Sequence, residues 1–128
     1  MPPTVLIIGE DPTSVDFSAP GAPLGMTAEK VTDGLNGSRD RLIDQGYDAH
    51  ILLTRGDDAE RQLAEELGKR TYDVIVIGAG LRTLPPMAAQ FEQIMNVLIK
   101  SAPHAKLAFN TKPDDSDQAA LRHLAPAR

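Results

Sequence analysis

Two short apolar runs limit what this chain can fold into: VLII at residues 5–8 and VIVI at residues 74–77. Each is short, rich in β-branched side chains and apolar at consecutive positions, so a strand made from it must be covered on both faces. Such strands belong in the middle of a parallel sheet sandwiched between helices. Two further strands are predicted at ILL, residues 51–53 with Ala49 ahead of them, and at LAF, residues 107–109.

Helical patterns fill the intervals. In residues 85–101, Pro85 and Pro86 suit a first turn, Phe91, Ile94, Met95 and Leu98 recur at helical spacing, and Pro103 stops the run. A second helix is predicted at residues 57–68, with Asp57 and Glu60 as a capping box, Leu63 and Leu67 one turn apart, and Gly68 as terminator. The first helix, residues 27–45, shows Val31, Leu35 and Leu42 on one stripe. Gly34 and Gly37 interrupt it at about 1 kcal/mol each relative to Ala, which implies close packing against the sheet or a kink. A short last helix starts near Ser116 and presents Leu121 and Leu124.

Strand and helix alternate throughout, the pattern of parallel strands joined by right-handed crossovers. With the first and third strands central, the order is 2-1-3-4. The predicted fold is a small doubly wound three-layer sandwich, flavodoxin-like or half-Rossmann. At 128 residues the chain makes one domain, residues 1–128, with 41% hydrophobic residues to supply its core. The final APAR, residues 125–128, is expected to be disordered.

That order also places a site. In open α/β sheets ligands bind beyond the carboxyl ends of the strands, where the winding reverses, here between the strands ending at Ile8 and Ile77. Two loops converge there. The first, residues 10–26, is longer than a connection requires. Pro12, Pro20 and Pro23 stiffen it into an expected flap, with Phe17, Leu24 and Met26 as apolar handles for a ligand or a second subunit. The second, residues 78–86, enters a helix. Gly78 and Gly80 would let an anion approach backbone N–H groups, and Arg82 would close on its carboxylate or phosphate.

Other polar residues share the rim. Glu10 and Asp11 are adjacent carboxylates that could divide acid and base roles or hold a divalent cation with waters, although Asp11 before Pro12 is also a turn residue. Thr54, Arg55 and Asp57 follow the second strand, and Asn110, Thr111 and Lys112 follow the fourth. The ligand-binding set expected from position is Gly9, Phe17, Arg55, Gly78, Gly80, Arg82, Thr83, Asn110 and Lys112, with Glu10 and Asp11 as catalytic candidates.

Several chemistries are disfavoured. The chain has no cysteine, hence no thiolate nucleophile, disulfide or cysteine-ligated metal. Of the three histidines, His50 and His104 fall at the opposite edge of the sheet and only His123 could lean toward the rim, so no metal site is predicted. A net charge of −5 with no basic run argues against nucleic acid. No segment reaches the roughly 18 apolar residues of a membrane span, and a cytoplasmic location is expected. The GAGLRT segment has Thr83 at the third glycine position of a dinucleotide fingerprint and follows the third strand instead of the first. The cofactor is left open; flavin suits the architecture, but three Phe, two Tyr and no Trp offer little to stack on it.

The rim resembles that of receiver domains in its acidic residues after the first strand and its Thr111, Lys112 and Pro113. It departs at Gly78, where a receiver carries its phosphoacceptor aspartate, and in having four predicted strands where a receiver has five. The segment Gly9, Glu10, Asp11 is similar to the Gly-Asp-Ser block of SGNH hydrolases, with no serine at the nucleophile position.

Two functions follow as expectations. One is binding of a small anionic molecule at the rim, with or without catalysis. The other is a noncatalytic homo-oligomeric module, a dimer first of all, joined through the Phe17 loop, the outer strand near Phe109 or the last helix around Leu121.

Overall fold

The computed structural model of the chain describes residues 2–15, 17–18 and 25–124. The middle of the expected flap (residue 16 and residues 19–24) and the expected disordered tail at residues 125–128 lie outside the described residues. Strands β1 (Thr4–Glu10), β2 (Asp48–Thr54), β3 (Val74–Ile77) and β4 (Lys106–Phe109) form one parallel sheet in the order β2-β1-β3-β4. This is the doubly wound order derived from the sequence.

The two faces sort as a period of two demands. Val5, Ile7, Val74 and Val76 point to one side, where they pack on helices α1 (Ala28–Asp44) and α5 (Ser116–Leu121) through Leu35, Leu42, Ala119 and Ala120. Leu6, Ile8, Ile75 and Ile77 point to the other, against α2 (Ala59–Lys69), the short α3 (Ala79–Thr83) and α4 (Ala88–Ser101) through Leu63, Leu81, Ile94 and Leu98. Residues 5–8 and 74–77 are buried throughout, which makes these two strands the spine of the domain. No helix among the described residues is long and apolar enough to cross a membrane.

Three local expectations change. The predicted capping box at Asp57 does not form: residues Gly56–Asp58 make a 3-10 turn, and no side chain caps α2 at Asp58. Gln62, inside the helix, holds the chain that precedes the turn, accepting from the backbone N–H of Arg55 (2.9 Å) and donating to the carbonyl of Leu53 (3.0 Å). Gly68 does not terminate α2, which continues to Lys69. Residues 78–86 were expected to be a loop but hold α3, with Leu81 buried under it. Leu84 ends that helix because a residue preceding proline is pushed out of the helical region, here to φ −86° and ψ 118°; α4 restarts after a 3-10 turn at Pro85–Met87.

Gly34 receives a specific cause. A Cβ at this position would sit 2.8 Å from Pro113 Cβ and 3.0 Å from the Asp114 nitrogen, so its packing partner is the 3-10 turn Pro113–Asp115 and not the sheet. The same turn is fastened to α1 from below. Arg41 grips the nearly buried Asp117 with two nitrogens (2.9 and 3.1 Å) and the Asp114 carbonyl with one of them (2.7 Å), while the Ser38 hydroxyl donates to Pro113 (3.0 Å). These contacts tie helix α1, α5 and the turn after β4 to one another.

Candidate functional site

Beyond the carboxyl ends of β1 and β3 the chain parts to opposite faces, toward α1 from β1 and toward α3 from β3, and a cleft opens between them. It encloses about 220 Å³. Pro12, Val15, Phe17 and Met26 close it from the first loop, Val31 and Leu35 from α1, and Leu81 and Leu84 from α3 and its exit. Gly9, Gly78 and Ala79 form its floor, and Asn110 to Pro113 its far lip. Both loops named from the sequence therefore meet at the switch point, and their described parts contribute more apolar side chains than polar ones.

Gly78 serves the backbone. Its N–H donates to the Ile8 carbonyl (2.9 Å), and a Cβ there would lie 3.0 Å from the same oxygen, so only glycine passes β1 this closely. Gly80 differs: it is exposed, and the space where a Cβ would stand is open.

Most polar residues expected to meet a ligand meet the protein instead. The Arg82 guanidinium turns back to the carbonyls of Ile77 and Asn110 and lies 5.0 Å above the Phe109 ring, a cation–π contact. Burial pulls its pKa below the ordinary arginine value. Asn110, 3% exposed, accepts from the Ala79 N–H (2.7 Å) and donates to the Ser116 hydroxyl (2.8 Å), clasping the starts of α3 and α5 to the end of β4. Thr83 donates to the Ala79 carbonyl within its own helix (2.8 Å). Asp115 gathers the backbone N–H groups of Thr111 and Lys112 and the Thr111 hydroxyl. Burial opposes its ionisation, but these donors prevail and hold its carboxyl below the usual range. Lys112 remains largely exposed, with Nζ 3.8 Å from the Asp114 carboxylate.

Glu10 and Asp11, adjacent in sequence, face different partners. Asp11 accepts from the Thr13 hydroxyl (2.7 Å) and the Thr13 N–H (2.9 Å) on one oxygen and from Arg55 on the other. The Thr13 hydroxyl foremost, then the Thr13 N–H and Arg55, holds its carboxyl below the ordinary aspartate value despite burial. This is the turn role that Asp11 and Pro12 suggested, and it consumes Arg55 as well. Glu10 lines the cleft, and its Oε1 accepts from Gln90 Nε2 (2.7 Å) and the Thr54 hydroxyl (3.1 Å). Among the described residues the two carboxylates share no donor.

Gln90, the partner of Glu10, is the residue of this cluster that sequence reading missed. It stands one turn before Ile94 and two before Leu98, on the stripe that α4 buries. A polar side chain on an apolar stripe was the available signal. The histidines stay away from the cleft: His50 lies on β2 with Nε2 3.0 Å from Asp48 and its ring edge-on to Tyr72, and His123 is exposed past α5. No protein-family model matches this chain, and no curated protein matches it either. Fold and site together define its class: a small doubly wound parallel α/β domain with a mainly apolar cleft at the topological switch point.

Proposed function

We propose that this domain binds a small molecule in the cleft between the Gly9 and Gly78 loops. The observation that carries the reading is the position and lining of the cavity: it falls at the switch point, both strand-end loops contribute to it, and apolar side chains dominate its walls. At about 220 Å³ it is smaller than the roughly 300–1,000 Å³ of pockets for drug-sized ligands, so its occupant is small. An anionic group on that ligand, as the sequence led us to expect, would be met by Lys112 at the outer lip, since Arg55 and Arg82 are engaged within the protein. For the same reason Arg82→Ala would disturb two backbone carbonyls and does not isolate a ligand contact.

The test adds bulk beside the cleft where the backbone tolerates it. Gly80→Trp adds a large side chain at an open position on the lining. Wild type and variant are compared in a thermal-shift screen of phosphate, nucleotides, flavin phosphates, small carboxylates and small amines. A compound at about a hundred times its Kd stabilises the native state by roughly 2.7 kcal/mol. Stabilisation of wild type alone supports the site; equal shifts in both proteins, or none in either, would refute it.

A second reading, a homodimer, is favoured by β4. It is an outer strand whose Phe109 is 40% exposed. Sedimentation of wild type and Phe109→Asp over a range of concentrations tests it, a dimer lost in the variant being the expected result.

A further inference from the structure

We infer that the ligand of the cleft carries a protonated amine that pairs with Glu10, on an apolar body; the inference rests on the cleft being a small-molecule site. Three observations lead there. Glu10 is a half-buried carboxylate on the lining of an otherwise mostly apolar cleft. Its Oε1 is fixed by Gln90 and Thr54, while its Oε2 has no hydrogen bond or ion pair among the described residues. Two arginines of the same rim are engaged elsewhere, Arg55 by Asp11 and Arg82 by backbone carbonyls.

The electrostatic consequence is direct. A fixed negative charge beside apolar walls is screened less than one in water, so it attracts a cationic donor strongly and repels a carboxylate or phosphate at the same place. Gln90 and Thr54 do more than tether the side chain. By occupying one oxygen they restrict the carboxylate's orientation and leave the other oxygen for the ligand. Lys112, a charged side chain on the same lining, is largely exposed, where water screens it, and its Nζ lies 3.8 Å from the Asp114 carboxylate.

A matched set of probes separates head group from body: 2-phenylethylamine, 2-phenylethanol and phenylacetate, each titrated calorimetrically into wild type, Glu10→Gln and Gly80→Trp. Glu10→Gln keeps an oxygen for Gln90 and Thr54 and replaces the other acceptor with a donor, so the fold is retained, as a melting curve would verify. Wild type is expected to prefer the amine over the other two by tenfold or more, Glu10→Gln to lose that preference, and Gly80→Trp to bind none of the three. Gln90→Ala, which loosens the anchor and leaves the charge, keeps the preference while weakening binding several-fold. If the amine binds wild type and Glu10→Gln alike and Gly80→Trp abolishes both, the cleft is a site but the amine assignment fails. A preference for phenylacetate overturns it in favour of an anion at Lys112. No binding of any probe to wild type overturns the amine assignment, and the broader screen then decides whether the cleft binds anything.

Discussion

The carboxyl edge of the sheet has two halves, divided by β1, and they are built on opposite principles. On the β2 side Glu10, Asp11, Thr13, Thr54, Arg55, Gln62 and Gln90 form a polar lattice in which nearly every group meets another protein group. Between the ends of β1 and β3, Val15, Phe17, Leu35 and Leu84 surround open space. The residues that look chemical in the sequence mostly bond within the protein, and the cleft beside them is lined mainly by apolar side chains. Glu10 is the one residue that belongs to both halves, held by the lattice and facing the cleft lining.

The comparison breaks most visibly at Asn110. Replacing it with Ala leaves the Ala79 N–H and the Ser116 hydroxyl without their buried partner, and we expect a loss of about 2–3 kcal/mol in urea unfolding. Unchanged stability with altered probe binding would instead make Asn110 a ligand group. Gly34→Ala comes next. Forcing a Cβ against Pro113 costs about 1–3 kcal/mol, of which helix propensity returns about 1, so a net loss near 1 kcal/mol is expected together with weaker probe binding, because the turn it displaces is the far lip of the cleft.

The smallest effect sharpens the contrast by pH. Thr13→Ala removes the leading cause of the lowered Asp11 pKa and should cost about 1 kcal/mol at neutral pH. Because the folded pKa lies below the unfolded one, near 4, this stabilisation is present above pH 4 and is lost as the pH falls through the folded value. Melting temperatures of wild type and variant should therefore converge on acidification from pH 5 toward pH 2, with probe binding at neutral pH unaltered. A gap that does not narrow on acidification would mean that Thr13 does not act through the Asp11 carboxylate, and a large change in probe binding would mean that the polar half is not a separate scaffold.

Much of this was legible in the chain. Residues 5–8 and 74–77 identify the central strands, and with the alternation of elements they determine the sheet order and the location of the switch point. The long loop and the Gly78 segment were recognisable as its two walls. Local chemistry was read less well. The cap expected at Asp57 does not form, and Gly34 answers to a turn almost eighty residues away in sequence. Arg82 and Arg55 were assigned to a ligand because position along a strand end gives the edge a side chain occupies, not the direction in which it points.

The division follows from the range of the forces involved. Hydrophobic periodicity is a property of neighbouring residues, so the sequence by itself determined the strands, most of the helices and the fold. Which polar groups find each other depends on atoms brought within 3 Å by chain segments distant in sequence, as with Gln90 and Glu10 or Arg41 and Asp117. Only the tertiary structure could decide that pairing, and it left one oxygen of Glu10 without a hydrogen-bond partner among the described residues.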